Sequence, residues 1–331
     1  MAAAATVGMA RQISAWPAAS APALRGRHTD RLSRSYLGPK RMSIGETAAL
    51  GVVSLFVRVV GEQAHARPLL MIHGGPDWDH SYFLSFAEPL AAGRQLILPD
   101  LRGCGRSTRF GDARRYHVRS AAGDLVLLLD HLAIPKADVL GFSFGGRVAI
   151  QLAKQAPDRV AALVLASASA YEDSTAQLEG WDEYRARYTP GLRRAREALF
   201  ADPKLNDEAR SRELAYLTAS LDMCDSALVP VYRRDVLSKI RFSGEWMQAW
   251  RSGVEFNTPL NVDAEWGLQA LPVLIIHGEK DMRHPVSMAH RLHSAWSHSE
   301  LMVLPGAGHV AHIEAPQEWC RAVDEFLRAA S

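Results

Sequence analysis

The chain has 331 residues, 48% of them hydrophobic, and a net charge of +2 from 38 basic and 36 acidic side chains. That length and apolar content fit one large domain or a core with an insertion. The weak charge sets no field for nucleic acid or an anionic membrane, no apolar run reaches the ~20 residues that span a bilayer, and the scattered Cys104, Cys224 and Cys320 form no metal pair or disulfide framework. Free thiols point to a reducing compartment, the cytoplasm in the simplest reading.

Residues 1–41 stand apart. They are rich in alanine and serine and basic through Arg11, Arg25, Arg27, Arg31, Arg34, Lys40 and Arg41, with Asp30 as the one acid. No apolar core follows a charged start, so a secretory signal is excluded. Three readings stay open: a disordered leader, a start placed upstream of Met42, or an organellar transit peptide.

From residue 47 strands and helices alternate. Val53–Val60 reads as a strand closed by Gly61-Glu62, and Pro68–His73 as a buried strand meeting the loop Gly74-Gly75-Pro76. A helix is predicted from Tyr82 to Ala92, a strand at Gln95–Pro99, and a helix over Val118–Leu132 with the stripe Ala121, Leu125, Leu128, Leu129, Leu132. Ala137–Leu140 and Val160–Ala166 are further buried strands. Unbroken apolar strands in such an alternation predict an α/β fold with a mostly parallel sheet covered by helices on both faces. Residues 171–267 break the pattern: they are charged, helical and aromatic (Trp181, Tyr184, Tyr188, Phe200, Trp246, Trp250, Phe256 and Trp266 among others). We read 42–170 as the first part of a core, 171–267 as an inserted helical cap and 268–331 as the second part. That last part carries strands at Leu271–His277 and Leu301–Pro305 and a closing helix from Trp319 to Ala330.

The chemistry centres on Gly141-Phe142-Ser143-Phe144-Gly145, between a strand and the helical pattern from Val148. A Gly-x-Ser-x-Gly elbow exposes its serine in a strained turn, and the glycines prevent collision with the neighbouring strand and helix. A serine hydroxyl needs a base held by an acid. Asp281 follows the Val273–Ile276 run and His309 follows the last strand, so Ser143, Asp281 and His309 all fall at C-terminal strand ends, where open α/β sheets place their sites. Glu279 competes as acid and His312 as base. Phe144 N–H, at the start of the helix after Ser143, and the N–H of Gly74 or Gly75 are the candidate oxyanion donors. Asp100 and Arg102 suggest a salt-bridged turn, His73 suggests a structural hydrogen-bonder, and His277 reads as a core residue. His284, His290, His293 and His298 read as a solvated face, and no metal-ligand spacing occurs.

These motifs resemble the α/β-hydrolase fold superfamily over about residues 47–330. Within it, His73-Gly74-Gly75-Pro76 with Asp79-His80, and Asp100-Leu101-Arg102-Gly103-Cys104-Gly105-Arg106-Ser107, look like proline iminopeptidases and their relatives. The resemblance implies a Ser-Asp-His triad, a helical cap, no cofactor and an oxyanion donor on the His-Gly-Gly-Pro loop. The chain departs from that pattern at Asp77, where glycine is usual, at Phe142-Ser143-Phe144 in place of Gly-Ser-Trp, and in lacking a Trp-Ser-x-Trp-Glu segment.

The expectation is therefore a serine hydrolase of a small ester, lactone or amide with an apolar or aromatic acyl part. A proline iminopeptidase-type aminopeptidase is the alternative, and a non-hydrolytic binding or cyclisation protein a third. Trp181, Glu183, Glu245 and Trp246 are candidate substrate contacts from the cap, with Glu255 a further acid that could hold an amine. A small molecule is the expected partner, without nucleic acid or membrane.

Overall fold

The computed structural model describes residues 45–331 except 63–64, 85, 169, 172–177, 255–259 and 261–269. The chain divides into two units, Met1–Gly38 and Pro39–Ser331, and every described residue lies in the second. The leader and the cap residues Glu255, Phe256 and Trp266 lie outside the described residues.

One sheet of eight strands has the order β1-β2-β4-β3-β5-β6-β7-β8. The strands are β1 Glu46–Ala49, β2 Ser54–Val60, β3 Leu69–Ile72, β4 Leu96–Pro99, β5 Ala137–Phe142, β6 Val160–Ala166, β7 Val273–Gly278 and β8 Glu300–Leu304. β1 and β2 run antiparallel at one edge, and β4 through β8 form the parallel part. Every residue of β3, β4, β5 and β7 is buried, as a sheet covered on both faces requires. β1 was not legible: its Glu-Thr-Ala-Ala stretch has little strand character and is held by pairing with β2.

Ten α-helices occur among the described residues: α1 Val118–His131, α2 Phe144–Gln155, α3 Asp182–Arg187, α4 Pro190–Ala201, α5 Asp207–Leu217, α6 Val229–Asp235, α7 Glu245–Arg251, α8 Val286–Ala295, α9 Ala311–Glu314 and α10 Pro316–Ala329. The predicted stripe of α1 is the buried one: Leu125, Leu128 and Leu129 join Val148 and Leu152 of α2 and Leu70, Val139 and Leu163 of the sheet in one cluster. Each such leucine contributes about 1.5–3 kcal/mol by leaving water. α10 covers β7 and β8 and buries Trp319, Val323, Phe326 and Leu327.

The helix predicted from Tyr82 to Ala92 is instead two 3₁₀ turns, His80–Phe83 and Glu88–Ala92. Pro89 lacks an N–H and disfavours a helical residue before it, so a continuous helix cannot form. Helices α3 to α7 fall between β6 and β7 in the chain, and α4, α5 and α7 line a cavity that also reaches Ser143 and His309.

Candidate active site

Ser143 sits between β5 and α2 with φ 52° and ψ −119°, a strained conformation for a residue with a side chain. The glycines explain how the chain turns here. A Cβ on Gly145 would lie 2.3 Å from the carbonyl oxygen of Ile72, and one on Gly141 would lie 2.5 Å from that of Gly145. Gly145→Ala is accordingly expected to lower stability by about 3 kcal/mol or more, because the obstacle is backbone that cannot rotate away. A urea midpoint equal to that of wild type would contradict this close approach.

β7 and β8 pair in parallel, so the loops that follow them emerge side by side. They bring Asp281 and His309 together, and the β5–α2 turn brings Ser143 to the same place. His309 Nδ1 donates to Asp281 Oδ2 at 2.9 Å, and Ser143 Oγ donates to His309 Nε2 at 3.0 Å. The carboxylate can only accept, so the imidazole proton sits on Nδ1 and the Nε2 lone pair faces the hydroxyl. Asp281 is fully buried, yet its pKa lies well below the ordinary carboxylate value. Burial pushes it up, but the charge of His309 and the hydrogen bonds of His277 and His309 prevail. Its other oxygen, Oδ1, accepts the amides of Arg283 and His284, each at 2.8 Å.

A cavity of about 410 Å³ opens on Ser143 and His309. Its apolar walls include Trp78, Phe142, Phe200, Leu214, Trp246 and Met247. Among the described residues two acids reach it, and both are engaged. Asp222 accepts Arg283 Nε at 2.6 Å, and Asp77 accepts Ser243 Oγ at 2.8 Å and the amides of Trp246 and Met247 at 3.0 and 2.8 Å. Arg196 of α4 also lines the cavity; its guanidinium lies 5.2 Å from the ring centre of Phe200 and has no carboxylate partner among the described residues. His284, expected on a solvated face, lines the cavity as well, with its ring centre 5.4 Å from that of His309. Burial, and then the nearness of His309, lowers its pKa to about 3, so it is neutral at physiological pH.

Other expected residues take different places. Gly74 N–H donates to the Tyr82 hydroxyl at 2.6 Å, so that amide is committed, whereas Gly75 lines the cavity. Trp246 lines the cavity and donates its indole N–H to the Arg102 carbonyl at 2.8 Å. Glu245 turns away, accepting the Tyr116 hydroxyl and the Gly111 amide. Glu183 pairs with Arg187 and Lys280, both at 3.6 Å, and neither it nor Trp181 lines the cavity. Glu279 accepts the Gly306 amide, and His312 is buried among Phe86, Phe142 and Trp319 with both ring nitrogens unpartnered. Both competitors thus stand outside the chain of bonds that ends at Ser143.

The turn after β4 is ion-paired, but with other partners than expected. Asp100 binds His80 Nδ1 at 2.6 Å, while Arg102 grips Asp124 of α1 through two bonds of 2.6 Å. Asp79, His80 and Asp100 bring three possible metal-donor atoms close together in the interior. Asp79 accepts the Ser81 amide and Asp100 the His80 and Arg106 amides, so the cluster staples the His-Gly-Gly-Pro loop to this turn. His73 is structural as read, its Nε2 accepting the Leu101 amide at 3.0 Å.

Sheet order, elbow and the loops at the strand ends define an α/β-hydrolase arrangement. The comparison with protein families agrees: residues 67–316 match the model of the alpha/beta hydrolase fold, and the chain belongs to that family. It is similar to a 2-hydroxymuconate semialdehyde hydrolase of Pseudomonas sp. (strain CF600), 32% identical over 80% of this chain and 87% of the relative. A proline iminopeptidase of Lactobacillus helveticus (strain DPC 4571) is 27% identical over 82% of this chain and 93% of that protein. Among solved structures, a thermophilic esterase from Thermogutta terrifontis shares the fold with a TM-score of 0.65 at 24% identity, covering 88% of this chain and 99% of the esterase.

Proposed function

We propose that this hydrolase works through a serine nucleophile and an acyl-enzyme, and that its substrate is a small ester, lactone or amide bearing an anionic group. The carrying observation is the chain of bonds from Asp281 through His309 to Ser143, opening on a closely sized cavity. Ser143 Oγ attacks the carbonyl carbon while His309 takes its proton and passes it to the leaving group. Asp281 orients His309 and stabilises the imidazolium. We assign the oxyanion to the amides of Gly75 and of Phe144, the latter at the positive end of α2. Water deprotonated by His309 then releases the acid. Helices α3 to α7 act in this reading as a cap that shapes the acyl site.

Arg196 supports the anionic substrate. An aminopeptidase needs an uncommitted carboxylate for its substrate's amine, and among the described residues both acids on the cavity wall are already engaged. Among the described residues, the charge on the wall without a carboxylate partner is that of Arg196, which is positive. A muconate semialdehyde, named for the similar Pseudomonas enzyme, carries such an anion.

Arg196→Met tests this. Its kcat/KM on a nitrophenyl ester with a free terminal carboxylate should fall roughly 10- to 100-fold, the worth of a charged hydrogen bond. A neutral nitrophenyl ester of the same length should be hydrolysed as by wild type. Equal losses on both esters, or a wild type that prefers amino-terminal peptide arylamides, would overturn the assignment.

A further inference from the structure

We infer that His277, at the C-terminal end of β7, is a positioning residue whose Nε2–H shares Asp281 Oδ2 with His309 and thereby sets how strongly the carboxylate holds that imidazole. The inference rests on His309 being the general base.

His277 is fully buried, and its Nε2 lies 3.2 Å from Asp281 Oδ2 and 2.8 Å from the His284 carbonyl oxygen. Both neighbours are acceptors, so Nε2 carries a proton whether the ring is neutral or charged. The preceding strand residues, Val273 to Ile276, are apolar, and volume alone would be filled as well by another apolar side chain. A buried polar ring is tolerated where its N–H finds an acceptor, and this N–H has the His284 carbonyl at 2.8 Å and, at 3.2 Å, the carboxylate oxygen that orients His309.

The consequence is electrostatic. A carboxylate oxygen that accepts two imidazole N–H groups divides its negative charge between them. Removing one donor concentrates that charge on His309 Nδ1–H and favours the imidazolium. His309 must be neutral to accept the Ser143 proton, so the acidic limb of the rate profile then moves to higher pH. Burial lowers the pKa of His277, but the bond and charge of Asp281 and the His284 carbonyl raise it overall above the ordinary value. A positive charge on His277 would act in the same direction as its hydrogen bond. The other charged or titratable groups around these rings are Arg283 and His284 on the same loop, Arg147 on α2, His312 beyond His309, and Asp222 through Arg283. Of these, His284 is also bonded to His277 directly, its carbonyl oxygen accepting Nε2–H at 2.8 Å.

The test compares pH profiles of kcat/KM for wild type, His277→Gln and His277→Met on one aryl ester. Glutamine can present an amide N–H near the Nε2 position, whereas methionine fills the space without a donor. The acidic limb of His277→Met should rise by about 0.5–1 pH unit, and that of His277→Gln should stay with wild type. KM should change little, because His277 does not reach the cavity. A limb that stays put in folded His277→Met overturns the inference, since a purely structural residue would lower the rate at every pH alike. Should His277→Met not fold, His277→Asn, whose amide stops short of Asp281, takes its place. Ser143→Ala measured alongside separates the two readings. Activity surviving there removes the serine mechanism itself, whereas its loss with an unmoved limb removes only the role of His277.

Discussion

Ser143→Ala is expected to leave a folded protein with kcat lowered by about 10⁴-fold or more, the scale seen when a triad member is removed. The argument is geometric. Ser143 Oγ is the atom at which the chain of bonds from Asp281 through His309 ends, and no second hydroxyl stands at His309 Nε2 among the described residues. In the proposed mechanism loss of the hydroxyl removes the attacking atom, while alanine occupies no more space than serine. Retention of most activity would mean that water or another side chain attacks, and that the strained elbow serves another end. Circular dichroism and the urea midpoint should match wild type, which separates lost chemistry from lost structure.

Asp77→Ala is expected to destabilise the protein by about 2–4 kcal/mol and to lower kcat/KM as well. Asp77 takes a positive φ of 73° where the resembling family has glycine. Its carboxylate reaches across to the first turn of α7, receiving the Trp246 and Met247 amides and the Ser243 hydroxyl. It thus joins the loop of Gly75 to the helix that carries a cavity wall, and its removal strands three donors, of which those of Ser243 and Trp246 are buried. Burial pushes its pKa up to about 7 against the pull of those donors. The sign follows from linkage. The unfolded chain loses this proton near the ordinary value while the fold retains it, so the stability Asp77 contributes is largest below about pH 4 and declines as pH rises to about 7. Asp77→Asn should lack that decline, so the stability difference between it and wild type should change across the window. Denaturation midpoints that run parallel for the two proteins from pH 4 to pH 8 would contradict this.

The parallel sheet and the three converging residues were legible because each follows an apolar run that can only be a buried strand. In such a sheet, strand ends share one edge. The elbow glycines added a steric signature that the close approach of Gly145 to Ile72 explains. The rest depended on contacts between distant parts of the chain. Asp77 binds a helix 169 residues away, and Arg196 and Phe200 reach the cavity through α4, whose helical pattern carries no mark of which face turns inward. Glu183 and Glu245 were plausible amine ligands by charge alone, but nearby arginine, lysine and tyrosine partners claim them. His284 could have been placed by its position three residues past Asp281 in a strand-end loop, a signal hidden by the run of histidines after it. His277 reads as a core residue in the sequence. Only the coordinates show its N–H against the carboxylate that orients His309.

The most direct test of an activated serine is labelling with a fluorophosphonate probe, followed by mass location of the adduct in wild type, Ser143→Ala and His309→Ala. The account predicts an adduct on Ser143 in wild type and none in either variant. An unlabelled wild type in a folded, monodisperse sample, or an adduct at another residue that survives both substitutions, would contradict it.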